Sequence, residues 1–170
     1  MGQGLEDLRV LQQAELLADR VWERAHQWPE LARDTLGKQI IRAADSIGAN
    51  IAEAFGRFHY GEKLNFLYYA RGSLFETKYW INRAARRGLL TGGEQQTEAE
   101  ALTGLAIQIN QFARSLKGQR SSKRSPPTDE SGALHESGQP YLVDAPDRLI
   151  FTDEHLTWLN ALITSSSAED

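Results

Sequence analysis

Gln39-Ile40-Ile41-Arg42-Ala43-Ala44-Asp45-Ser46-Ile47-Gly48-Ala49-Asn50-Ile51-Ala52-Glu53-Ala54 is the stretch whose reading decides the fold. In it and its flanks, Leu36, Ile40, Ala43, Ile47, Ile51, Ala54 and Phe58 recur at steps of four or three residues. This is a seam of nearly heptad spacing, which keeps one face of a helix against a partner. Gly48 lies inside the seam, where glycine costs about 1 kcal/mol relative to alanine. The apolar pattern continues on both sides of it, so Gly48 reads as a point of close helix approach rather than a break. Ala43, Ala44, Ala49 and Ala52 supply further small side chains beside it.

The same periodicity continues outward. Upstream, Leu11, Ala14, Leu17, Val21, Ala25 and Trp28 form one helical face over residues 5–27, and Pro29 separates that segment from the next. Downstream, Leu64, Leu67, Ala70, Leu74, Thr77, Ile81 and Ala84 make the main stripe of a segment over residues 61–87. Phe66, Tyr68, Tyr69, Phe75, Tyr79 and Trp80 widen this stripe, so the third segment is expected to have more than one packing partner. Gly88 follows the basic turn Arg83, Arg86 and Arg87, a natural helix stop. Thr91-Gly92-Gly93-Glu94 reads as a turn, and Leu102, Leu105, Ile109, Phe112 and Leu116 mark a fourth segment that ends at Gly118. Short connections make consecutive helices antiparallel neighbours. The fold class expected is all-α: an antiparallel up-down-up-down four-helix bundle over residues 1–117 with a C-terminal extension. In the extension, residues 118–139 are rich in Ser, Pro and Gly and read as a flexible linker. Residues 140–170 read as an acidic tail with a short helix, capped by Thr152 or Asp153 and carrying Leu156, Leu159, Leu162 and Ile163.

The chain has 170 residues, 41% hydrophobic and 25% charged, which fits one domain with a tail. There is no cysteine, so disulfides, Cys-ligated zinc, iron–sulfur clusters and a thiol nucleophile are excluded. No apolar run is long enough to span a bilayer, and Met1 to Asp7 lack the basic region of a secretory leader. A cytoplasmic protein with no membrane partner is therefore expected. The formal charge of −4 hides a partition: residues 1–117 sum to +1, residues 118–170 to −5, and residues 33–87 alone to +5.

The central block is followed by Gly56-Arg57 and by Phe66-Leu67-Tyr68-Tyr69-Ala70-Arg71-Gly72-Ser73-Leu74-Phe75-Glu76. Together these closely resemble the bacterial four helix bundle protein family. Its members include proteins encoded by intervening sequences within large-subunit ribosomal RNA genes. The accessory variability protein of diversity-generating retroelements is a relative. The chain departs from the family pattern at Ile41, where an Arg is usual, and at Ala54, where a Gly is usual. The resemblance covers roughly residues 5–117. It implies a homo-oligomer, a ring and in many members a pentamer, with no enzymatic activity. It also implies a basic surface that meets RNA or DNA, and a protein partner such as a reverse transcriptase.

Two constellations follow from the residues themselves. Arg42, Arg57, Arg71, Arg86 and Arg87 are the candidate nucleic-acid-binding cations, because guanidinium groups neutralise phosphates. Ser46, Asn50, Glu53, Ser73 and Glu76 stand among small and apolar neighbours, and a hairpin near Tyr60 brings their heights together. They are expected to form a structural polar network between helices or subunits. Glu53 and Glu76 lack the Glu-x-x-His motif of di-metal bundles, so no metal, cofactor or catalytic residue is assigned. The alternative function is a scaffold that binds an acidic protein partner through the basic surface of the second and third helices.

Overall fold

A computed structural model of the chain describes residues 4–122 and 149–162. Among the described residues the fold is all-α. Helix α1 spans Arg9–His26, α2 is the short Glu30–Ala32, a π-helical turn occupies Arg33–Gly37, and α3 runs Lys38–Gly56. Helix α4 spans Tyr60–Arg86, α5 Gly92–Ser122 and α6 Asp153–Asn160. Pro29 precedes Glu30 and lacks the N–H a preceding helix would need, which is why α1 stops and the chain turns there.

Four long helices close a ring of contacts. Helix α1 packs on α3, α3 on α4, α4 on α5, and α5 returns to α1. The core is built from the predicted stripes. Leu17, Val21 and Ala25 meet Ile40, Ile47 and Ile51 from α3, Leu67, Leu74 and Ile81 from α4, and Leu102, Leu105 and Ile109 from α5. Gly48 sits where α1 and α3 approach: a Cβ there would lie 3.7 Å from the Ala14 Cβ and 3.7 Å from the Leu11 Cδ1. The approach is close but leaves room for a methyl group.

The helix ends follow local chemistry. Gly88 adopts φ 69°, the left-handed conformation, and the Leu89 N–H donates to the Ala84 carbonyl at 3.0 Å. This is the Schellman closure that the Gly88 signal announces. At the start of α5, Thr91 and Glu94 form a capping box. The Thr91 N–H donates to Glu94 Oε2 at 2.8 Å, and the Glu94 N–H donates to Thr91 Oγ1 at 3.2 Å. The segment read as a plain turn thus also nucleates the helix.

Two expectations need correction. Phe58 was read as the last residue of the seam, but α3 ends at Gly56 and Phe58 is 90% exposed. Helix α5 does not stop at Gly118: it runs on to Ser122, so the linker does not begin where glycine suggests. The expectation that the third segment has more than one packing partner is met in part by the chain's own tail, which covers some of the apolar surface of α4. Ile150, Phe151 and Leu159 are buried and α6 packs on α5. The tail helix itself is capped by Thr152, whose Oγ1 accepts the His155 N–H at 3.4 Å while His155 Nδ1 accepts the Thr152 N–H at 3.0 Å. The linker expectation over 123–139 lies outside the described residues, as does Ile163 of the tail helix.

Candidate nucleic-acid interface

Helix α4 has 27 residues, about 40 Å at 1.5 Å per residue. Arg57 stands at its start, Arg71 at its middle, and Arg86 and Arg87 at its end, so the five predicted cations do not form one patch. Their environments also differ. Arg57 is tied to Glu53, one turn earlier, and its guanidinium lies 4.8 Å from the Phe66 ring centroid. Arg71 is half-buried over the Phe75 ring at 5.5 Å. Arg42, Arg86 and Arg87 are exposed and form no ion pair among the described residues.

The up-and-down path gathers cations at one end of the bundle. The C-terminus of α4, the start of the α3 rod and the C-terminus of α1 all lie there. This end carries Arg83, Arg86 and Arg87 from α4 and Arg33 from the π turn. Other cations nearby are neutralised: Lys38 pairs with Asp34 at 3.3 Å, and Arg24 pairs with Glu94 and Glu98. Arg33 and Arg83 belong to the basic middle of the sequence but were not among the five candidate phosphate contacts. Arg83 shares the last turn of α4 with Arg86, whereas the placing of Arg33 at the same end depends on topology, which the residue spacing does not display.

The opposite character appears between α1 and α3. A groove of about 320 Å³ there is lined by Ala14, Ala18, Ala44 and Gly48 with Asp19 and Asp45 at its rim. Burial raises the Asp45 carboxyl above its ordinary value, and the neighbouring Asp19 charge raises it further.

Within the chain, the residues of the expected polar network make local bonds rather than bonds between helices. Ser46 donates to the Arg42 carbonyl at 2.7 Å, Asn50 to the Ser46 carbonyl at 2.7 Å, and Ser73 to the Tyr69 carbonyl at 3.2 Å. Glu53 pairs with Arg57, and Glu76 accepts from Trp80 Nε1 at 3.3 Å. Each bond stays within one helical stretch or its cap. Hydroxyls and amides one turn from a free carbonyl lone pair satisfy themselves without ordering a second helix.

Other residues carry the bonds that cross. Glu98, 1% exposed, takes Arg20 Nη2 at 3.3 Å and Arg24 Nε at 3.2 Å, joining α5 to α1. Gln95 donates to Asn82 Oδ1 at 3.4 Å between α5 and α4. Asn110 holds both backbone groups of Phe151: its Nδ2 donates to the Phe151 carbonyl at 2.8 Å, and its Oδ1 accepts the Phe151 N–H at 2.8 Å. The Lys78 ammonium, fully buried, donates to the Ala161 carbonyl at 2.7 Å. Desolvation lowers its pKa from 10.5 to about 8. Among the described residues no group of three or more His, Asp or Glu side chains is arranged to hold a metal ion, and no helix is long and apolar enough to cross a membrane.

The family model described as 23S rRNA-intervening sequence protein matches residues 6–116. No curated protein matches the chain.

Proposed function

The chain belongs to the 23S rRNA-intervening sequence protein family, and from that premise we propose that it is a non-enzymatic RNA-binding accessory factor. The observation that carries the proposal is the group of exposed or half-exposed cations Arg33, Arg83, Arg86 and Arg87 at one end of the bundle, free of ion pairs among the described residues. Guanidinium groups of this kind neutralise phosphates and release counterions, with no reading of base edges. Arg42, on the flank of the bundle, extends the contact, whereas Arg57 and Arg71 serve mainly to hold Glu53, Phe66 and Phe75. The same reading makes it a cytoplasmic protein.

Assembly is part of this function. A single end offers few phosphate contacts, and repetition around a homo-oligomeric ring, a pentamer in the form the resemblance implies, multiplies weak contacts into useful affinity. Tyr68, Tyr69 and Tyr79 on α4 are 37%, 60% and 51% exposed, and Trp22 on α1 is 58% exposed. These are the side chains a subunit contact would cover. Phe75, another of the aromatics that widen the α4 stripe, packs against the chain's own tail.

The test is retention of a 23S rRNA hairpin fragment by the full-length protein at 50 and 200 mM salt, beside single-stranded RNA and duplex DNA. Affinity falls steeply with salt. Reversal of Arg86 and Arg87 to Glu lowers it at least tenfold and reduces the salt slope by about 1.5, the share of two phosphates. Helicity is unchanged. Duplex DNA bound as tightly as RNA would remove the RNA assignment. Absence of retention of every nucleic acid at 50 mM salt would transfer the basic end to an acidic protein partner.

A further inference from the structure

The family match ends at residue 116, yet the fold does not. Residues 149–162 return to the bundle and occupy a groove between α4 and α5, and the contacts have an unusual character. Asn110 grips the backbone of a single residue, Phe151, through both its N–H and its carbonyl, at 2.8 Å each. Such a two-point grip holds the main chain of a bend through groups every residue carries, while the buried Phe151 ring supplies the side-chain contact. One side of the groove supplies an aromatic wall: Phe75 lies 5.8 Å from the Phe151 ring, 5.2 Å from His155 and 5.4 Å from Trp158. At the far end, Lys78 meets the carbonyl of Ala161, the residue that closes α6. A cation at a helix C-terminus complements its dipole.

The connection between the two parts places little demand on the docking. Asn110 lies twelve residues before the end of α5 at Ser122, about 18 Å back along the helix. Residues 123–148 would reach about 85 Å if fully extended. A connection of that contour length does not by itself fix where the segment sits, which leaves the contacts given above to hold it in the groove.

We propose that the α4–α5 groove is a peptide-docking site, and that residues 149–161 are its tethered and exchangeable ligand. The ligand class is an apolar-aromatic dipeptide at a bend, Ile150-Phe151, followed at once by a capped amphipathic turn of helix. Exchange is built into the chemistry. The buried Lys78 ammonium has one neutral carbonyl where a permanent clasp would have a carboxylate, and an incompletely compensated buried charge weakens the docked state.

The experiment uses the full chain with a protease site placed within residues 123–148. A fluorescein-labelled peptide of residues 148–163 is added before and after cleavage, and anisotropy follows its uptake. The intact chain takes up little, because the tethered copy competes at an effective concentration in the millimolar range. The cleaved protein takes up the labelled peptide, unlabelled peptide displaces it, and a peptide carrying Phe151→Ala binds at least tenfold more weakly. Since the substitution is confined to the peptide, the bundle is the same in both arms. Three results would each overturn the proposal. One is no uptake by the cleaved protein up to millimolar peptide. Another is equal uptake of the wild-type and Phe151→Ala peptides. The last is loss of the helical circular dichroism signal when the cleaved segment dissociates, which would make the segment part of the core.

Discussion

Replacement of Lys78 by methionine tests the electrostatics of the groove most directly. The ammonium is fully buried and its pKa falls from 10.5 to about 8. At about 1.36 kcal/mol for each pH unit, the charged form is disfavoured by about 3 kcal/mol relative to the neutral amine. Methionine removes that cost at pH 7. It also removes the bond to the Ala161 carbonyl, worth about 1 kcal/mol for a neutral donor. Ala161 is exposed, so water replaces the lost donor. The net expectation is that Lys78→Met stabilises the folded, tail-docked state by about 2 kcal/mol at pH 7. The sign of the pH dependence follows from the same shift. The folded pKa lies below the unfolded one, so the unfolded chain binds more protons between pH 8 and 10.5, and native stability rises with pH across that window. Urea unfolding of both proteins at pH 7, 8, 9 and 10 isolates this contribution as their difference, since other titrating groups are shared. The advantage of Lys78→Met shrinks as pH rises from 8 to 10. A variant less stable than the wild type at pH 7, or a difference independent of pH, would refute the reasoning and make Lys78 a net stabilising anchor.

Gly48→Ala raises the stability of the bundle by about 0.5–1 kcal/mol in urea titrations, because the new methyl meets Ala14 and Leu11 at ordinary contact distance, 3.7 Å, and the helical penalty of glycine disappears; a loss would mean that α1 and α3 have no room for it. Asn110→Ala releases residues 149–162, which appears as at least tenfold faster hydrogen exchange at the Phe151 amide with core amides of α3 unchanged. Glu98→Gln costs about 1–3 kcal/mol of thermal stability, because Arg20 and Arg24 lose the buried carboxylate that joins them to α5. Hydrogen bonds from the Thr91 backbone and side chain, and then the Arg24 charge, hold the Glu94 carboxyl below its ordinary value of 4.5. Its contribution is complete above that value and is lost as pH falls through the lower folded value, so Glu94→Gln flattens the acid limb of the stability profile.

The four-helix architecture was legible because it is a property of spacing. Leu36, Ile40, Ala43, Ile47, Ile51 and Ala54 are all buried as their period demands. Gly88 stops α4 because only glycine takes its φ of 69° without strain. The crossing polar bonds left a signal of a different kind. Lys78 lies between Leu74 and Ile81 on the apolar stripe of α4, and Glu98 precedes Leu102 by one turn on that of α5. A charged residue on a core stripe requires a partner, and its position announces the requirement without the partner's identity. The partner of Lys78 is a backbone carbonyl at residue 161, and that of Asn110 is the backbone of residue 151. Backbone groups leave no trace in side-chain patterns, so the docking of the tail could not be read. Ser46, Asn50 and Ser73 show the converse: their polarity is visible in the sequence, but within the chain each donates to a carbonyl of its own helix.

The π turn at Arg33–Gly37 has a consequence for how this chain tolerates changes in length. A π turn spaces its hydrogen bonds five residues apart, so it holds one residue more than the α-helix through which it interrupts. That surplus residue faces solvent: Asp34 and Thr35 are exposed, while Leu36 next to them is buried. Removing Thr35 would convert the turn to regular α-helix and leave Pro29 on one side and Ile40 on the other in their present orientations. Everywhere else along the seam, a one-residue deletion rotates all later side chains by about 100° and takes Ile47 and Ile51 out of the core. The turn is thus the joint at which the rod can be shortened by one residue with the bundle's register preserved.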